Sequence, residues 1–311
     1  MSGATRGPGR SLLWALAGLL TLAALFASLG GSARAAPTAG TSLPRLVSLA
    51  PSLTEMLFAL DAGDALVGVT RYCDFPPAAK RLPRVGGIED GSIDFERVLG
   101  RKPDLVIAIG EGQERTVSAL RRLGQRVEVV PSQTVDDVFR AIPRLGDLVG
   151  RRAAAERLLA DLQGRFERVR RAISKVPPER RPRVFYELWD QPLMTATRST
   201  LIGGLIERAG GRNIFGDLGG RYPQVSPEAV LARDPQVIVA PDHHGGPIDA
   251  RTLVERSGLA GVEAARRGRI LIVEGNVVSR AGPRIADVLE LLAHELHPDL
   301  VPAPAGGGAR R

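Results

Sequence analysis

The chain has 311 residues, 44% hydrophobic and 24% charged, which gives room for two ordinary domains with packed cores and excludes a largely disordered protein. A formal charge of +8 invites a nucleic-acid reading, but only Lys80, Lys102 and Lys175 are lysines and aromatics make up 4%. The arginines are dispersed, with no basic patch interleaved with aromatics, so nucleic acid is excluded as a partner. A single cysteine, Cys73, excludes an internal disulfide and leaves ordinary cores to hold the fold.

Arg6 and Arg10 precede an uncharged run from Ser11 to Leu29, and Ala33-Arg34-Ala35 supplies small residues at alternate positions. This predicts a secretory signal over residues 1–35, cleaved after Ala35, and a periplasmic destination. An uncleaved N-terminal anchor is the structural alternative, because the run is nearly long enough to span a bilayer. No cysteine follows the run, so no lipid anchor is expected. Cleavage removes three arginines and no acid, leaving a mature chain at +5.

A Pro/Gly/Ala/Thr linker covers 36–44. RLVSLA then reads as a first strand, and Ser52-Leu-Thr-Glu55 has the form of a capping box opening a helix. ALVGVT (65–70) is a second strand, followed by the loop RYCDFPP, and IDFERVLGRKPDLVIA (93–108) as a short capped helix, a proline break and a buried strand. A helix from 111 to 123 and a strand at 126–130 continue the alternation, which predicts a parallel sheet. These elements form a first α/β lobe over 45–150.

Within 151–176, Leu158, Leu162, Phe166, Val169 and Ile173 recur at helical spacing with charged residues opposite. They predict one long amphipathic helix between lobes. RVFYELW opens a second lobe over 177–299, followed by a helix at 199–209, a helix near 252–257, the strand RILIV (269–273) and a last helix from 283 to 295. Residues 300–311 read as a disordered tail. Within this lobe VSPEAVLARDPQVIVA (225–240) repeats 93–108 at a constant offset of 132 positions, with Glu96/Glu228, Leu99/Leu231 and Pro103/Pro235 among the identical pairs. Asp94 and Ser226 are the expected N-caps. The fold class is therefore α/β, with two Rossmann-like parallel-sheet lobes joined by a single long helix and a ligand cleft between them.

No GxSxG, P-loop, GxGxxG, HExxH or CxxC pattern is present, and no nucleophile and base pair can be nominated, so an exported enzyme is only a second alternative. His294 and His297 are spaced three apart at the end of the last helix and read as structural. His243 and His244, in PDHHGG, follow a strand end, where open sheets bind ligands. They read either as ligand contacts or as plain loop histidines. Tyr72 with Phe75, Trp189 and Tyr222 fall at comparable loop positions. Aromatic faces there suit a large flat ligand, although Trp189 packing on its own lobe is the bland alternative. Glu96 and Glu228 are explained minimally as acids in a helix's first turn.

Several strings together carry a resemblance: Arg45 to Pro51 with Thr54-Glu55, Tyr72-Cys73-Asp74-Phe75-Pro76-Pro77, KPDLVIA, AGGRNIF, YPQVSPEAVLARDP and RAGPRI. The chain resembles the periplasmic cobalamin-binding proteins of bacterial ABC importers. These belong to the helical-backbone class of binding proteins that also serves ferric siderophores and haem. The resemblance implies a non-enzymatic, monomeric receptor with no cofactor of its own. Its transported ligand would be cobalamin or a related corrinoid, held by aromatic contacts at the positions of Tyr72 and Tyr222, with haem or a ferric siderophore as alternative. It also implies delivery to a membrane permease dimer, docked through the paired acids matching Glu96 and Glu228. Two positions depart from the pattern: GGIEDGSID stands where a tryptophan is expected before Glu96, and Tyr222 replaces a tryptophan, with Trp189 as the compensating aromatic.

Overall fold

The computed structural model describes residues 43–242, 249–256 and 258–304. The first lobe begins with β1 (Leu46–Ser48), α1 (Pro51–Ala59) and β2 (Leu66–Val69). It continues through α2 (Phe95–Gly100), β3 (Leu105–Ala108), α3 (Glu114–Arg122), β4 (Val127–Val129) and α4 (Val135–Leu148). Its four strands are parallel in the order β2-β1-β3-β4. The uniformly buried LVIA of β3 explains the unbroken apolar run: a central parallel strand is covered on both faces.

The long helix α5 spans Arg152–Ile173, within the expected 151–176, and at about 1.5 Å per residue is about 33 Å long. The second lobe comprises β5 (Arg183–Tyr186), a hairpin of β6 (Trp189–Asp190) and β7 (Leu193–Met194), α6 (Leu201–Arg208) and β8 (Arg212–Asn213). It continues with α7 (Pro227–Arg233), β9 (Val237–Pro241), α8 (Ala250–Arg256), α9 (Glu263–Arg266), β10 (Ile270–Val273), α10 (Gly275–Val278) and α11 (Ile285–Leu296). Its parallel sheet is ordered β8-β5-β9-β10, the first lobe's order with β5, β8, β9 and β10 in the places of β1, β2, β3 and β4.

The repeat is reproduced in backbone detail. Asp94 accepts from the Arg97 amide at 3.0 Å and Ser226 Oγ from that of Ala229 at 3.2 Å, so both expected N-caps form. After each helix the residue before the proline is left-handed, Lys102 at φ 48° and Asp234 at φ 40°. A pre-proline residue is disfavoured in the right-handed helical region, and this reversal ends each helix and turns the chain into its strand.

Four expectations are corrected. Ser52 and Glu55 form no capping box: α1 starts at Pro51 with Ala50 as N-cap and no side-chain cap bond, because Pro51 needs no amide partner at the first helical position. The helix α4 was not anticipated. Its internal Pro143 masks it, although a true capping box of Thr134 and Asp137 opens it. Trp189 lies on the β6 strand rather than in an open loop. The tail does not begin at 300, for Val301 is buried and its carbonyl lies 2.9 Å from His294 Nδ1. His297 Nε2 lies 3.1 Å from the Gly210 carbonyl, so both histidines bind backbone. The expected signal over 1–35, most of the expected linker and residues 305–311 lie outside the described residues. No helix among those described is long and apolar enough to cross a membrane.

The lobes do not have fully separate cores. Leu57 and Leu145 of the first lobe, Leu162, Val169 and Ile173 of α5, and Leu205 and Leu289 of the second belong to one buried apolar cluster. Arg165 of α5 reaches Asp287 at 2.6 Å and Glu290 at 2.9 Å on α11, fixing the helix against the second lobe. Leu162→Ala should therefore lower stability by about 2–5 kcal/mol. Calorimetry should find one transition shifted down as a whole, since the lobes share the core.

Candidate functional site

In both sheets the strands end facing a common cleft of about 840 Å³, toward the upper end of the range for small-molecule sites. The structure brings Tyr72, Trp189 and Tyr222 together on its walls. They are 44%, 44% and 41% exposed, and large aromatics left this open in one concavity offer their faces to something else.

Each ring is held by its own local construction. Trp189 Nε1 donates to the Gln191 carbonyl at 2.9 Å within the β6–β7 hairpin, which fixes the indole plane. The Tyr222 segment is strapped to the chain after β7, where the amides of Thr195 and Thr197 donate to the carbonyls of Pro223 and Arg221 at 3.1 and 2.9 Å. Burial pushes the Tyr222 phenol up, so it stays neutral. Tyr72 rides the loop after β2, where Arg84 Nη1 donates to the carbonyls of Thr70 and Cys73, both at 2.9 Å. The Cys73 thiol is buried there, 3.1 Å from Thr54 Oγ1 and 3.2 Å from Thr70 Oγ1.

The second lobe clamps the same loop. Glu55, on α1 and only 3% exposed, receives Arg280 Nη1 at 3.0 Å, Arg284 Nη2 at 2.6 Å and Arg284 Nε at 2.9 Å. Arg280 also donates to Asp74 at 2.6 Å, to the Tyr72 carbonyl at 3.1 Å and to Asn276 at 3.0 Å. Burial alone would push the Asp74 carboxyl up, but the hydrogen bond and charge of Arg280 outweigh it and hold it below the usual range. Phe75 does not line the cleft. Its ring lies under the Arg284 guanidinium, 4.2 Å from the centroid. A further ion pair joins Glu111 of the first lobe to Arg221 of the second.

The described lining carries only two charged residues, Glu89 and Arg280, and Arg280 is occupied by the clasp. Ser132, Gln133, Asn276 and Ser279 supply uncharged hydrogen-bonding groups. Such a cleft suits a large ligand with a flat face and a neutral polar rim. His243 and His244 fall outside the described residues. Glu96 and Glu228 are exposed in the first turns of α2 and α7. The Ser226 hydroxyl and the residue's own amide draw the Glu228 carboxyl below its usual range.

Sequence reasoning missed the clasp. Glu55 was assigned to a cap, and RAGPRI (280–285) was noticed only as a motif without a role. The available signal was three charged residues in strings that resemble one family, with no local partner for any of them.

Two parallel-sheet lobes, one long connecting helix and a cleft at the strand ends define a two-lobed substrate-binding protein. The chain belongs to the periplasmic binding protein family, whose description it matches over residues 46–276. It is 32% identical over 261 residues to the vitamin B12-binding protein of Pectobacterium carotovorum, covering 83% of this chain and 91% of that one. Among solved structures, the periplasmic vitamin B12-binding protein of Vibrio cholerae superposes with a TM-score of 0.70 at 30% identity, covering 82% of this chain and 97% of that one. A periplasmic haem-binding protein from Pseudomonas aeruginosa gives 0.74 at 30% identity, covering 87% and 99%.

Glu55→Gln, which keeps the side chain's shape but leaves two guanidiniums facing a neutral amide, should destabilise by about 3–5 kcal/mol. Thermal denaturation of the purified protein checks this, and an unchanged midpoint would show that the cluster contributes no net stability.

Proposed function

We propose that this protein captures cobalamin or a related corrinoid in the inter-lobe cleft and delivers it, as a non-enzymatic monomer, to the permease dimer of an ABC importer. The observation that carries this reading is the convergence of Tyr72, Trp189 and Tyr222 on one cleft whose described lining has no free cation. A corrin is large, rigid and flat, and its amide side chains are neutral partners for Ser132, Gln133, Asn276 and Ser279. A ferric siderophore or other anionic chelate would need cations that the described lining lacks. The relatives named for vitamin B12 support the same ligand. Export by a signal cleaved after Ala35 completes the reading, with retention by an uncleaved N-terminal anchor as its alternative.

Haem is the second reading. The haem-binding protein of Pseudomonas aeruginosa is equally similar, and the Arg71 guanidinium lies over the Tyr72 ring, 5.5 Å from its centroid. A tyrosine oxygen can ligate haem iron, which would give Tyr72 a role in that reading. His243 and His244 remain candidate contacts to a ligand's metal centre in either reading.

The chain has two tryptophans, and Trp14 lies in the proposed signal, so Trp189 alone reports on the cleft in the mature protein. Cyanocobalamin is expected to quench its fluorescence with a submicromolar Kd, and Tyr222→Ala to weaken binding by about tenfold through loss of one stacked face. Absence of quenching and of calorimetric heat at micromolar cyanocobalamin would overturn the corrinoid reading. A Soret band shift on adding haemin would install the haem reading in its place.

Docking is assigned to Glu96 and Glu228, one on each lobe. The double substitution Glu96→Ala/Glu228→Ala is expected to leave ligand affinity unchanged while abolishing uptake into cells that depend on this receptor. Uptake at the wild-type rate would leave these acids with the helix-dipole role alone.

A further inference from the structure

AGGRNIFGD (209–217) contains a motif that the cleft does not use. It lines a second cavity of about 570 Å³ beside β8, the edge strand of the second sheet, and this cavity shares no lining residue with the cleft. Four arginines line it, Arg183, Arg198, Arg212 and Arg233, against two acids, Glu207 and Asp217.

Three of these guanidiniums, those of Arg198, Arg212 and Arg233, form no ion pair among the described residues, whereas Arg183 is paired with Glu263 at 3.3 Å. Arg165, Arg256 and Arg280 are each anchored on carboxylates. In the second cavity, Arg198 Nε donates to the Gly216 carbonyl at 2.7 Å, and neither terminal nitrogen has a partner among the described residues. Arg233 stacks its guanidinium 4.3 Å from the Phe215 centroid, and its guanidinium N–H groups have no partner among the described residues. Arg183 donates through Nε and Nη2 to the Asp234 carbonyl, at 2.9 and 2.7 Å, and reaches Glu263 at 3.3 Å. The Arg212 side chain has no hydrogen-bond or ion-pair partner among the described residues; its amide donates to the Pro182 carbonyl at 2.8 Å. One of the two acids is already engaged, since Glu207 accepts the Asn213 amide at 3.1 Å.

The floor beneath them is rigid. Asn213 Nδ2 donates to the Ala196 carbonyl at 2.7 Å and its Oδ1 accepts the Phe215 amide at 3.0 Å, so the loop that anchors Arg198 and Arg233 is itself fixed. Anchors that leave outer nitrogens of Arg198 and Arg233 free keep like charges together in a concavity, where an anion would relieve their repulsion. The planar guanidinium fork matches phosphate oxygens in pairs. With Arg183 paired to Glu263 and Asp234, the lining still carries three arginines against Glu207 and Asp217, and the cavity has space for an organic substituent beside the anionic group. We propose that this pocket binds a phosphate-class anion, a phosphate ester or a diphosphate, independently of the cleft ligand.

The test is calorimetric titration of the mature protein with inorganic pyrophosphate and with glycerol 3-phosphate at matched ionic strength. It is paired with cosedimentation on phosphatidylglycerol vesicles and on phosphatidylcholine vesicles. Arg212→Gln, which removes no internal contact, and Arg198→Gln/Arg212→Gln are compared with wild type after thermal melts establish that both variants fold. Wild type is expected to bind, and the double variant to bind about tenfold more weakly or worse, since it loses two charged hydrogen-bonding groups. Binding of the soluble probes without vesicle association supports the site with a free anion as its source. Association with phosphatidylglycerol vesicles alone, lost in the variants, supports it with a lipid headgroup. No binding of any probe by wild type, or equal binding by the folded variants, overturns the proposal.

Discussion

Glu55 is the constraint on which the geometry of the cleft depends. A carboxylate 3% exposed would be strongly destabilising without partners, because an ion removed from water loses several kcal/mol of hydration. Its compensation comes from the other lobe, as Arg280 and Arg284 complete the charge balance of α1. The two lobes therefore cannot separate at this point without stranding a charge on each side. The clasp also sets more than the lobe contact. Because Arg280 simultaneously holds the carbonyl of Tyr72 and the carboxylate of Asp74, the ionic balance and the placement of an aromatic wall are one arrangement.

A cleft built in this way is largely formed before any ligand arrives. The shared core around α5 and the clasp restrict the lobes to small relative movements, and each aromatic is oriented by backbone contacts rather than by its neighbours in the cleft. Preorganisation of this kind lowers the ordering entropy that opposes association. It favours a rigid ligand over a flexible one, because a flexible ligand would still lose its own freedom on binding. The neutral lining adds a second restriction. With Arg280 occupied, binding free energy comes from apolar and aromatic contact and from uncharged hydrogen bonds, not from charge capture.

Much of the architecture was legible because it is encoded locally. The two copies of the capped helix, proline and strand unit carry their N-caps, their break and their apolar run within sixteen residues, and the structure reproduces even the left-handed residue before each proline. The amphipathic stripe of α5 was equally readable. The misreadings concern non-local chemistry. Ser52 and Glu55 have the spacing of a capping box, but Glu55 pairs with arginines more than 220 positions away, and nothing in a local window can register that competition. The helix α4 shows the opposite case: Pro143 lies inside it, where tertiary packing on α5 overrides the helix-breaking tendency that a local window assigns to proline. The aromatic positions at the cleft were found because they fall in loops beside strands and the repeat, whereas Arg84 lies on a segment with no recognisable pattern and Arg280 in RAGPRI, a string whose sequence alone does not show what it holds.

The repeat and the clasp divide the molecule into a symmetric and an asymmetric part. The cleft is asymmetric: Tyr72 is held by a loop and a clasp, Trp189 by a hairpin, and Tyr222 by a strap, so no local two-fold relation exists among its walls. The outer surface is where equivalence survives. Glu96 and Leu99 on α2 correspond to Glu228 and Leu231 on α7, and three-residue spacing places each acid and leucine on one helical face. Dipole stabilisation of about 0.3–1 kcal/mol accounts for an acid at each site. It does not account for a leucine left 38% exposed at position 231 beside it. An acid with a neighbouring apolar side chain, duplicated on both lobes, has the composition of a contact surface that meets charge and apolar area together. The proposed partner, a permease dimer, is itself a pair of like halves. Under that proposal the symmetric part of this protein faces a symmetric machine, and the part free to diverge is the one that fits an asymmetric ligand.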